Sequence, residues 1–335
     1  MSATSATPFR PAWWCPGPHA QTLCGALLPR APRLAVRRER WDTPDDDFLD
    51  LDRLDGPPGS PLLLILHGLE GSSRSTPVLG LLGGARRLRW RAAALNFRSC
   101  SGEPNRLPRS YHGGETSDPA WVVERLAREE PDAPVLCAGF SLGGNMLLKY
   151  LGERGDAVPR QVRAVAAISA PFDLAASARW LARGPGALYT RRLVVSLRRK
   201  TLRKLRRYPG LVDRRAVLAA RTLEQFDDAV TAPVHGFRDA EAYWAASSSL
   251  PLLAEIRRPT LLINALDDPF YPGRLLPVRE VSANPHLSAL FPAHGGHMGF
   301  LSGAIPGLPR PWAEAQALEF FKKHLLGETP LPPSI

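Results

Sequence analysis

This chain is organised around the segment Cys137-Ala138-Gly139-Phe140-Ser141-Leu142-Gly143-Gly144-Asn145. Residues 135–138 are small or apolar, as in a strand that is buried on both faces, and residues 145–151 continue at helical spacing. Between them lies Gly-x-Ser-x-Gly, the nucleophile-elbow pattern, whose glycines let the backbone close tightly around a serine. The helix that follows directs its free N–H groups toward Ser141, which favours a developing oxyanion. We therefore predict that Ser141 is a nucleophile; a glycine-rich turn without chemistry is the alternative.

Apolar strands alternate with helical segments along the rest of the chain. Alternating apolar and polar residues predict two antiparallel strands, 33–41 and 47–54, at one sheet edge. This order predicts an α/β fold with a mostly parallel central sheet and helices on both faces. Short apolar runs predict the other strands, besides that of the elbow, at 62–66, 92–97, 162–168, 260–264 and 286–291, and helices are predicted at 76–88, 119–128 and 311–325.

The segment 172–257 lies between two predicted core strands and has the pattern of helices. We interpret it as a helical cap inserted into the core. Residues 1–171 then form an N-terminal arm and the first part of the core, and residues 258–335 form the remainder. Within the arm, the Pro- and Trp-rich residues up to about 30 are expected to pack on the domain surface.

Composition sets limits on the class of protein. The 335 residues are 44% hydrophobic and 22% charged, which is ordinary for a globular protein with a sizeable core. The formal net charge of +11 is carried mostly by arginine, but no nucleic-acid-binding motif accompanies it, so we predict no nucleic-acid partner. Residues 1–10 lack the pattern of a signal peptide, no apolar run is long enough to span a bilayer, and the four cysteines are scattered. These features predict a cytoplasmic protein with free thiols, and they leave its oligomeric state open.

Candidate partners of Ser141 follow two later strands of the predicted sheet, at the point where each strand ends. Ligands bind at the carboxyl ends of parallel strands, so polar side chains there should meet Ser141. A serine hydroxyl becomes a good nucleophile when an imidazole takes its proton, and a carboxylate must orient that imidazole. The order serine, aspartate, histidine is that of α/β-hydrolases. The candidates are Asp267 and Asp268 after one strand, and His294 and His297 after the other.

A triad uses one aspartate and one histidine, so one residue of each candidate pair must be chosen. We favour Asp268 because its spacing to Pro272 matches the D-x-x-x-P pattern of the acid loop in this fold, and Asp267 would then be a turn or supporting residue. We favour His297 because it directly follows a glycine, Gly296, and precedes the last helix. A metal bound by His294 and His297 is the alternative, but no carboxylate or cysteine stands near them at ligand spacing. We therefore predict neither a metal nor a cofactor.

Two backbone N–H groups should stabilise the oxyanion. One is expected from Leu142, the residue after the nucleophile. The other is expected from Leu69, in the loop that begins with His67-Gly68 after the strand 62–66. A simple strand-ending turn is the alternative explanation of His67-Gly68.

Longer motifs resemble those of a known family. The chain resembles the YheT-like family of α/β-hydrolases, to which the abhydrolase-domain proteins 1 to 3 and the plant Emb8 proteins are related. This resemblance covers nearly the whole chain and implies a serine hydrolase acting on esters, with the charge-relay residues at Ser141, Asp268 and His297. The matching motifs are His-Ala-Gln-Thr at 19–22, His-Gly-Leu-Glu-Gly-Ser-Ser at 67–73, Asn-Phe-Arg-Ser-Cys-Ser-Gly-Glu-Pro-Asn-Arg at 96–106, Tyr-His at 111–112, Gly-Glu-Thr at 114–116, the elbow at 139–145, Asp-Asp-Pro at 267–269 and His-Gly-Gly-His-Met-Gly-Phe at 294–300.

The sequence therefore predicts a serine esterase that cleaves a small-molecule or lipid ester through an acyl-enzyme. A serine at the elbow argues against dehalogenase or epoxide-hydrolase chemistry, which uses a carboxylate nucleophile in this fold. Two alternatives remain. An acyltransferase would use the same triad but pass the acyl group to an alcohol or thiol, and an interaction protein would use the scaffold without catalysis.

Two further hypotheses concern charged segments. We expect Glu103 and Arg106 to belong to a buried ion-pair network that shapes the pocket. The stretch from Arg191 to Arg207 interleaves basic residues with leucines, as in an amphipathic helix. Its leucines would pack on the core and its arginines would be solvated, or else its basic face would contact an anionic membrane.

Overall fold

The computed structural model describes residues 8–29 and 34–326. The predicted strand at 33–41 thus begins one residue outside these ranges. Residues 1–7, part of the segment in which the sequence shows no signal-peptide pattern, also lie outside them. None of the helices in the described ranges is both long and apolar enough to cross a membrane.

The described residues form one large sheet of eight strands, in the order β1-β2-β4-β3-β5-β6-β7-β8. β2 pairs antiparallel with both β1 and β4, and every other neighbouring pair is parallel. The predicted α/β fold and its antiparallel edge are therefore confirmed. The strands are β1 (Arg37–Asp42), β2 (Phe48–Leu54), β3 (Leu62–Leu66), β4 (Arg91–Asn96), β5 (Val135–Phe140), β6 (Val162–Ile168), β7 (Thr260–Ile263) and β8 (Leu287–Leu290).

The central strands are apolar because helices cover both faces of the sheet. In β3, Leu62, Leu64 and Leu66 belong to one core, whereas Leu63 and Ile65 belong to the other. This alternation follows from the two-residue period of a strand, and a strand covered on both sides has no polar face. The first core also contains residues of α3 (Ser117–Glu129) and α4 (Leu142–Arg154), and the second contains residues of α2 (Thr76–Arg87) and α12 (Trp312–Leu325).

A run of helices connects β6 to β7. They have a small apolar core of their own, formed by Val217, Ala220, Phe226 and Val230. They occupy the segment in which the sequence predicted a cap, and we propose that they act as one. The helices are α5 (Leu174–Leu181), α6 (Gly186–Arg207), α7 (Arg214–Ala219), α8 (Leu223–Phe226), α9 (Ala232–His235) and α10 (Ala240–Ser247), and α11 (Val278–Ala283) follows between β7 and β8.

The N-terminal segment, which was expected to pack on the domain surface, contains a helix with a fully buried polar side chain. It forms α1 (Gly17–Leu27), and the side chain of Gln21 is fully buried. The Gln21 amide donates to the carbonyls of Cys15 and Leu301 at 3.0 and 3.1 Å, and its oxygen accepts from the Leu301 N–H at 2.7 Å. α1 is thereby anchored to a small two-stranded sheet, β9 (Leu301–Ser302) with β10 (Arg310–Pro311). Strands this short have no periodicity that a sequence could reveal.

Candidate active site

Ser141 occupies a strained turn between β5 and α4. Its φ of 50° and ψ of −119° lie where residues with a side chain are rare. Its N–H donates to the Ile168 carbonyl at 2.8 Å. A Cβ on Gly139 would lie 2.4 Å from the carbonyl oxygen of Gly143, and one on Gly143 would lie 2.5 Å from that of His67. Only glycine fits at both positions, so the elbow pattern has the steric cause that the sequence suggested.

Three predicted side chains meet at this turn. The Nε2 atom of His297 lies 3.0 Å from the Ser141 hydroxyl oxygen. Its Nδ1 atom lies 2.9 and 3.1 Å from the two carboxylate oxygens of Asp268. A proton on Nδ1 satisfies the carboxylate, and Nε2 is then free to accept the hydrogen bond of the serine hydroxyl. All three side chains are buried, and burial raises the pKa of Asp268 while His297 opposes that shift.

The alternative aspartate and histidine form a separate pair. Asp267 accepts from the Gly296 N–H at 2.9 Å, and its other oxygen lies 3.3 Å from Nδ1 of His294. The His294 side chain is 63% exposed. These contacts place Asp267 and His294 at the outside of the histidine loop, away from the Ser141 hydroxyl.

The imidazole of His297 is held on its face as well as at its edge. The ring of Phe270 stacks on it with centroids 3.9 Å apart and planes 8° from parallel. The Phe270 N–H also donates to Asp268 at 2.7 Å, so one residue orients both the imidazole and its carboxylate. Because this stacking restricts rotation of the ring, Nε2 stays directed at Ser141.

Thr22 of α1 is a supporting residue that the sequence argument did not place in the site. Its hydroxyl accepts from the His297 N–H at 2.9 Å and donates to the Pro18 carbonyl at 2.7 Å. A Cβ on Gly296 would lie 2.4 Å from the same Pro18 oxygen, so α1 packs directly on the histidine loop. The sequence feature that could have indicated this role is the His-Ala-Gln-Thr motif at 19–22. Its glutamine contacts Leu301 and its threonine contacts His297, both far along the chain.

His67 organises the loop beside the nucleophile. Its Nδ1 donates to the Gly68 carbonyl at 2.7 Å, and its Nε2 accepts from the Phe97 N–H at 3.2 Å. Burial lowers the pKa of His67 to about 3, so the ring is neutral and this tautomer is consistent with both contacts. A Cβ on Gly68 would lie 3.0 Å from Cβ of Ser141. The loop thus runs against the serine, and Leu69 and Leu142 line the same cavity as Ser141.

A cavity of about 510 Å³ extends from Ser141 and His297 beneath the helices that connect β6 to β7. Its apolar wall includes Leu69, Leu142 and Leu174, and one long side is a face of α6. In the described ranges, no cluster of three or more His, Cys, Asp or Glu side chains is arranged to hold a metal ion.

The prediction that Glu103 and Arg106 belong to a buried ion-pair network that shapes the pocket was wrong. Glu103 is 58% exposed and pairs with Arg40, and Arg106 is 46% exposed and pairs with Asp42. Neither lines the cavity. The buried ion-pair network of this loop is instead built on Arg98.

Arg98 is 2% exposed and connects three segments of the chain. Its guanidinium donates to both oxygens of Asp118 at 2.7 Å and to Asp47 at 2.9 Å, and it lies 3.1 Å from Asp45. Bidentate geometry of this kind satisfies a buried guanidinium. The network fixes the loop after β4, which forms part of the cavity wall.

Comparisons with known proteins identify the family of this chain. The sequence pattern of the alpha/beta hydrolase fold matches residues 61–304. The putative esterase YheT of Escherichia coli is 38% identical over 312 residues, which cover 92% of this chain and 91% of that protein. Mouse phospholipase ABHD3 is 30% identical over 307 residues, 89% of this chain and 74% of the relative.

Two further similarities are to a yeast lipase and to a solved esterase structure. The monoacylglycerol lipase of Saccharomyces cerevisiae is 32% identical over 272 residues, 79% of this chain and 59% of the lipase. The solved structure of the Pyrococcus furiosus esterase Pf2001 superposes with a TM-score of 0.54 over 96% of this chain and 98% of that one. At 16% identity this structural likeness bears on the fold alone.

Proposed function

The chain belongs to the YheT-like α/β-hydrolases, a family of enzymes that act on esters, and from that premise we propose that it cleaves carboxylic esters through a triad of Ser141, His297 and Asp268. The observation that carries this proposal is the continuous chain of contacts from the Ser141 hydroxyl through both nitrogens of His297 to Asp268. Each contact is short enough for the proton transfers that the chemistry requires.

In the first half-reaction the Ser141 oxygen attacks the ester carbonyl while Nε2 of His297 takes the hydroxyl proton. Asp268 stabilises the imidazolium that forms, and it stays ionised. The tetrahedral intermediate then expels the alcohol, which receives that proton from Nε2 and leaves an acyl-Ser141. In the second half-reaction His297 deprotonates a water molecule, whose attack releases the acid and restores the serine.

The oxyanion of each tetrahedral intermediate would be bound by the N–H groups of Leu69 and Leu142. Two features support this assignment. Leu142 is the first residue of α4, so its N–H belongs to the unsatisfied first turn of that helix. Leu69 follows the close contact between Gly68 and Ser141, in a loop whose conformation His67 holds through two hydrogen bonds.

The substrate class follows from the cavity. Its volume of about 510 Å³ and its apolar walls suit an acyl chain of short to medium length, or one chain of a lipid ester. Relatives named monoacylglycerol lipase and phospholipase support the lipid alternative.

Hydrolysis of p-nitrophenyl esters from acetate to palmitate tests the proposal. We expect the wild type to turn them over and Ser141→Ala to lose on the order of 10⁶-fold in kcat, because the mutant retains no nucleophile. A fluorophosphonate should label Ser141 in the wild type only. Ser196→Ala is the matched control, since Ser196 lines the same cavity but contacts Glu70. Equal inactivity of wild type and Ser141→Ala, without labelling, would instead favour a binding scaffold. Acyl transfer to an added alcohol in preference to water would favour an acyltransferase.

We also propose that the protein contacts anionic membranes through the outer surface of α6. Leu188 on α6 is 72% exposed and Leu27 on α1 is 70% exposed. The two helices meet where His19 stacks on Tyr189, beside the cavity. Arg191 and Arg192 follow Leu188 by three and four residues, and both are exposed, although Arg192 also lines the cavity. Exposed leucines next to arginines are typical of interfacial helices.

Co-sedimentation with vesicles tests the membrane contact. We expect the double charge reversal Arg191→Glu/Arg192→Glu to weaken binding to vesicles that contain an anionic phospholipid by about 30-fold or more, since each basic residue contributes about 1 kcal/mol near such a surface. Arg160→Glu/Arg163→Glu is the control, because these exposed residues lie at the opposite end of β6 from the site. Wild-type binding that is indifferent to anionic lipid and to salt would show that the arginines of α6 are merely solvated.

A further inference from the structure

We propose that the end of the cavity farthest from the triad is an anion subsite formed by the ammonium group of Lys204, which binds a carboxylate or phosphate carried by the ester substrate. This proposal rests on the proposed esterase function and specifies the chemistry of its substrate.

The subsite lies on one continuous face of α6. The side chains that this helix presents to the cavity recur every three or four residues, from Tyr189 through Ser196 and Lys200 to Lys204. Tyr189 packs on Phe270, the residue that stacks on His297, so this end of the face lies beside the triad. Each helical residue advances 1.5 Å, which places Lys204 about 22 Å along the helix axis from Tyr189.

The two lysines of this face differ in their partners. The Lys200 ammonium lies 2.9 Å from a carboxylate oxygen of Glu70, so its charge is compensated. The Lys204 ammonium donates to the Arg109 carbonyl at 2.6 Å and to the Ser110 hydroxyl at 2.8 Å. Both of these partners are uncharged oxygens. Among residues 8–29 and 34–326, no carboxylate lies within ion-pair distance of Lys204.

The surroundings of Lys204 favour the arrival of a negative charge. Four cationic side chains line the cavity: Arg98 and Lys200 are compensated by carboxylates, whereas Arg192 and Lys204 have none within ion-pair distance among the described residues. Only two carboxyl groups line the cavity, and one of them is Glu70, the partner of Lys200. The other, Asp227, is buried, and burial raises its pKa to about 7. The charged or titratable groups that act on Lys204 are Asp47, Arg98, Arg109, Lys200 and His235.

These surroundings also disfavour the charged form of Lys204 itself. Burial lowers its pKa to about 8, Asp47 opposes that shift, and Arg98 and Arg109 add to it. An ammonium group has three donors, and two are used here. A substrate anion that reaches the third donor would gain a charge-assisted hydrogen bond and would compensate the buried charge.

Matched pairs of esters test the subsite. One arm compares p-nitrophenyl monoesters of dicarboxylic acids with p-nitrophenyl esters of monocarboxylic acids of equal carbon number, across a range of lengths. The other arm compares 1-acylglycerol phosphate with the corresponding 1-acylglycerol. In at least one arm we expect wild-type kcat/KM to be about tenfold or more higher for the anionic member, which is the size of one charge-assisted hydrogen bond. The arm that shows the preference identifies whether the anion is on the acyl chain or on the leaving group.

Variants assign the preference to Lys204. We expect Lys204→Met to bring the ratio of anionic to neutral kcat/KM close to one and Lys204→Arg to retain most of it. Lys322→Met, on α12 and outside the cavity lining, serves as the control for a general loss of positive charge. A wild-type ratio near one in both arms, or an unchanged ratio in Lys204→Met, would overturn the proposal.

The pH dependence gives an independent readout that requires no variant. Because the pKa of Lys204 is about 8, its ammonium form predominates at pH 7 and its neutral form at pH 9. The wild-type ratio of anionic to neutral kcat/KM should therefore fall as the pH rises from 7 to 9, since kcat/KM reports the ionisation of the free enzyme. A ratio that stays constant from pH 7 to 9 would also overturn the proposal. Failure of the esterase proposal would look different, because neutral esters would then show no turnover and Ser141 no labelling.

Discussion

We expect His297→Ala to lower kcat for carboxylic esters by about 10⁴- to 10⁶-fold without loss of the fold. His297 is the only described residue in contact with both the Ser141 hydroxyl and the Asp268 carboxylate, at 3.0 and 2.9 Å. Without its imidazole, no base remains to take the serine proton, and no acid remains to protonate the leaving alcohol. Turnover of a p-nitrophenyl ester by purified protein, with circular dichroism to verify folding, measures the effect.

The chain supplies a matched control for this experiment. His294 lies in the same loop, three residues earlier, and pairs with Asp267 rather than with Asp268. His294→Ala should therefore keep kcat within about tenfold of the wild type. The same comparison applies to the carboxylates, where Asp268→Asn should cost on the order of 10⁴-fold because the amide favours the wrong tautomer of His297. Similar losses in His294→Ala and His297→Ala would contradict the assignment.

We expect Arg98→Met to lower the free energy of unfolding by about 3–5 kcal/mol, the usual cost of removing one partner from a buried ion pair. Methionine fills much of the space of the arginine stem but leaves the carboxylates of Asp118 and Asp47 without the guanidinium that contacts them. These carboxylates lie on separate segments, one on α3 and the other just before β2. Urea denaturation measures the effect through the shift of the midpoint at constant slope.

Arg106→Met is the control for this variant. Arg106 belongs to the same loop, but its side chain is 46% exposed and that of its partner Asp42 is 73% exposed. A surface ion pair contributes about 0–1 kcal/mol, so the control should unfold near the wild-type midpoint. Arg98→Lys should be intermediate, since an ammonium keeps the charge but not the bidentate geometry. Equal stability of Arg98→Met and Arg106→Met would show that the Arg98 network does not stabilise the loop.

The sequence by itself determined the features that depend on local periodicity and on steric limits. Wholly apolar runs predicted the central strands, because a strand with helices on both sides has no polar face. Gly139 and Gly143 predicted the turn that exposes Ser141, because no Cβ fits at either position. The order of the candidate residues after successive strands predicted which side chains the sheet brings to one edge. All of these inferences use short segments, or the one rule that parallel strands end together.

Only the tertiary structure decided which charged and polar side chains meet across the molecule. Glu103 and Arg98 lie in the same loop, and nothing in the motif distinguishes the exposed ion pair from the buried network. Gln21 and Leu301 are separated by 280 residues, and Thr22 and His297 by 275, so their contacts depend on the packing of α1 against the histidine loop. The period of α6 likewise shows that the helix is amphipathic but not that Lys204 faces the cavity. The physical reason is that periodicity specifies which face of an element is apolar, whereas polar partners are set by the docking of elements far apart in the chain.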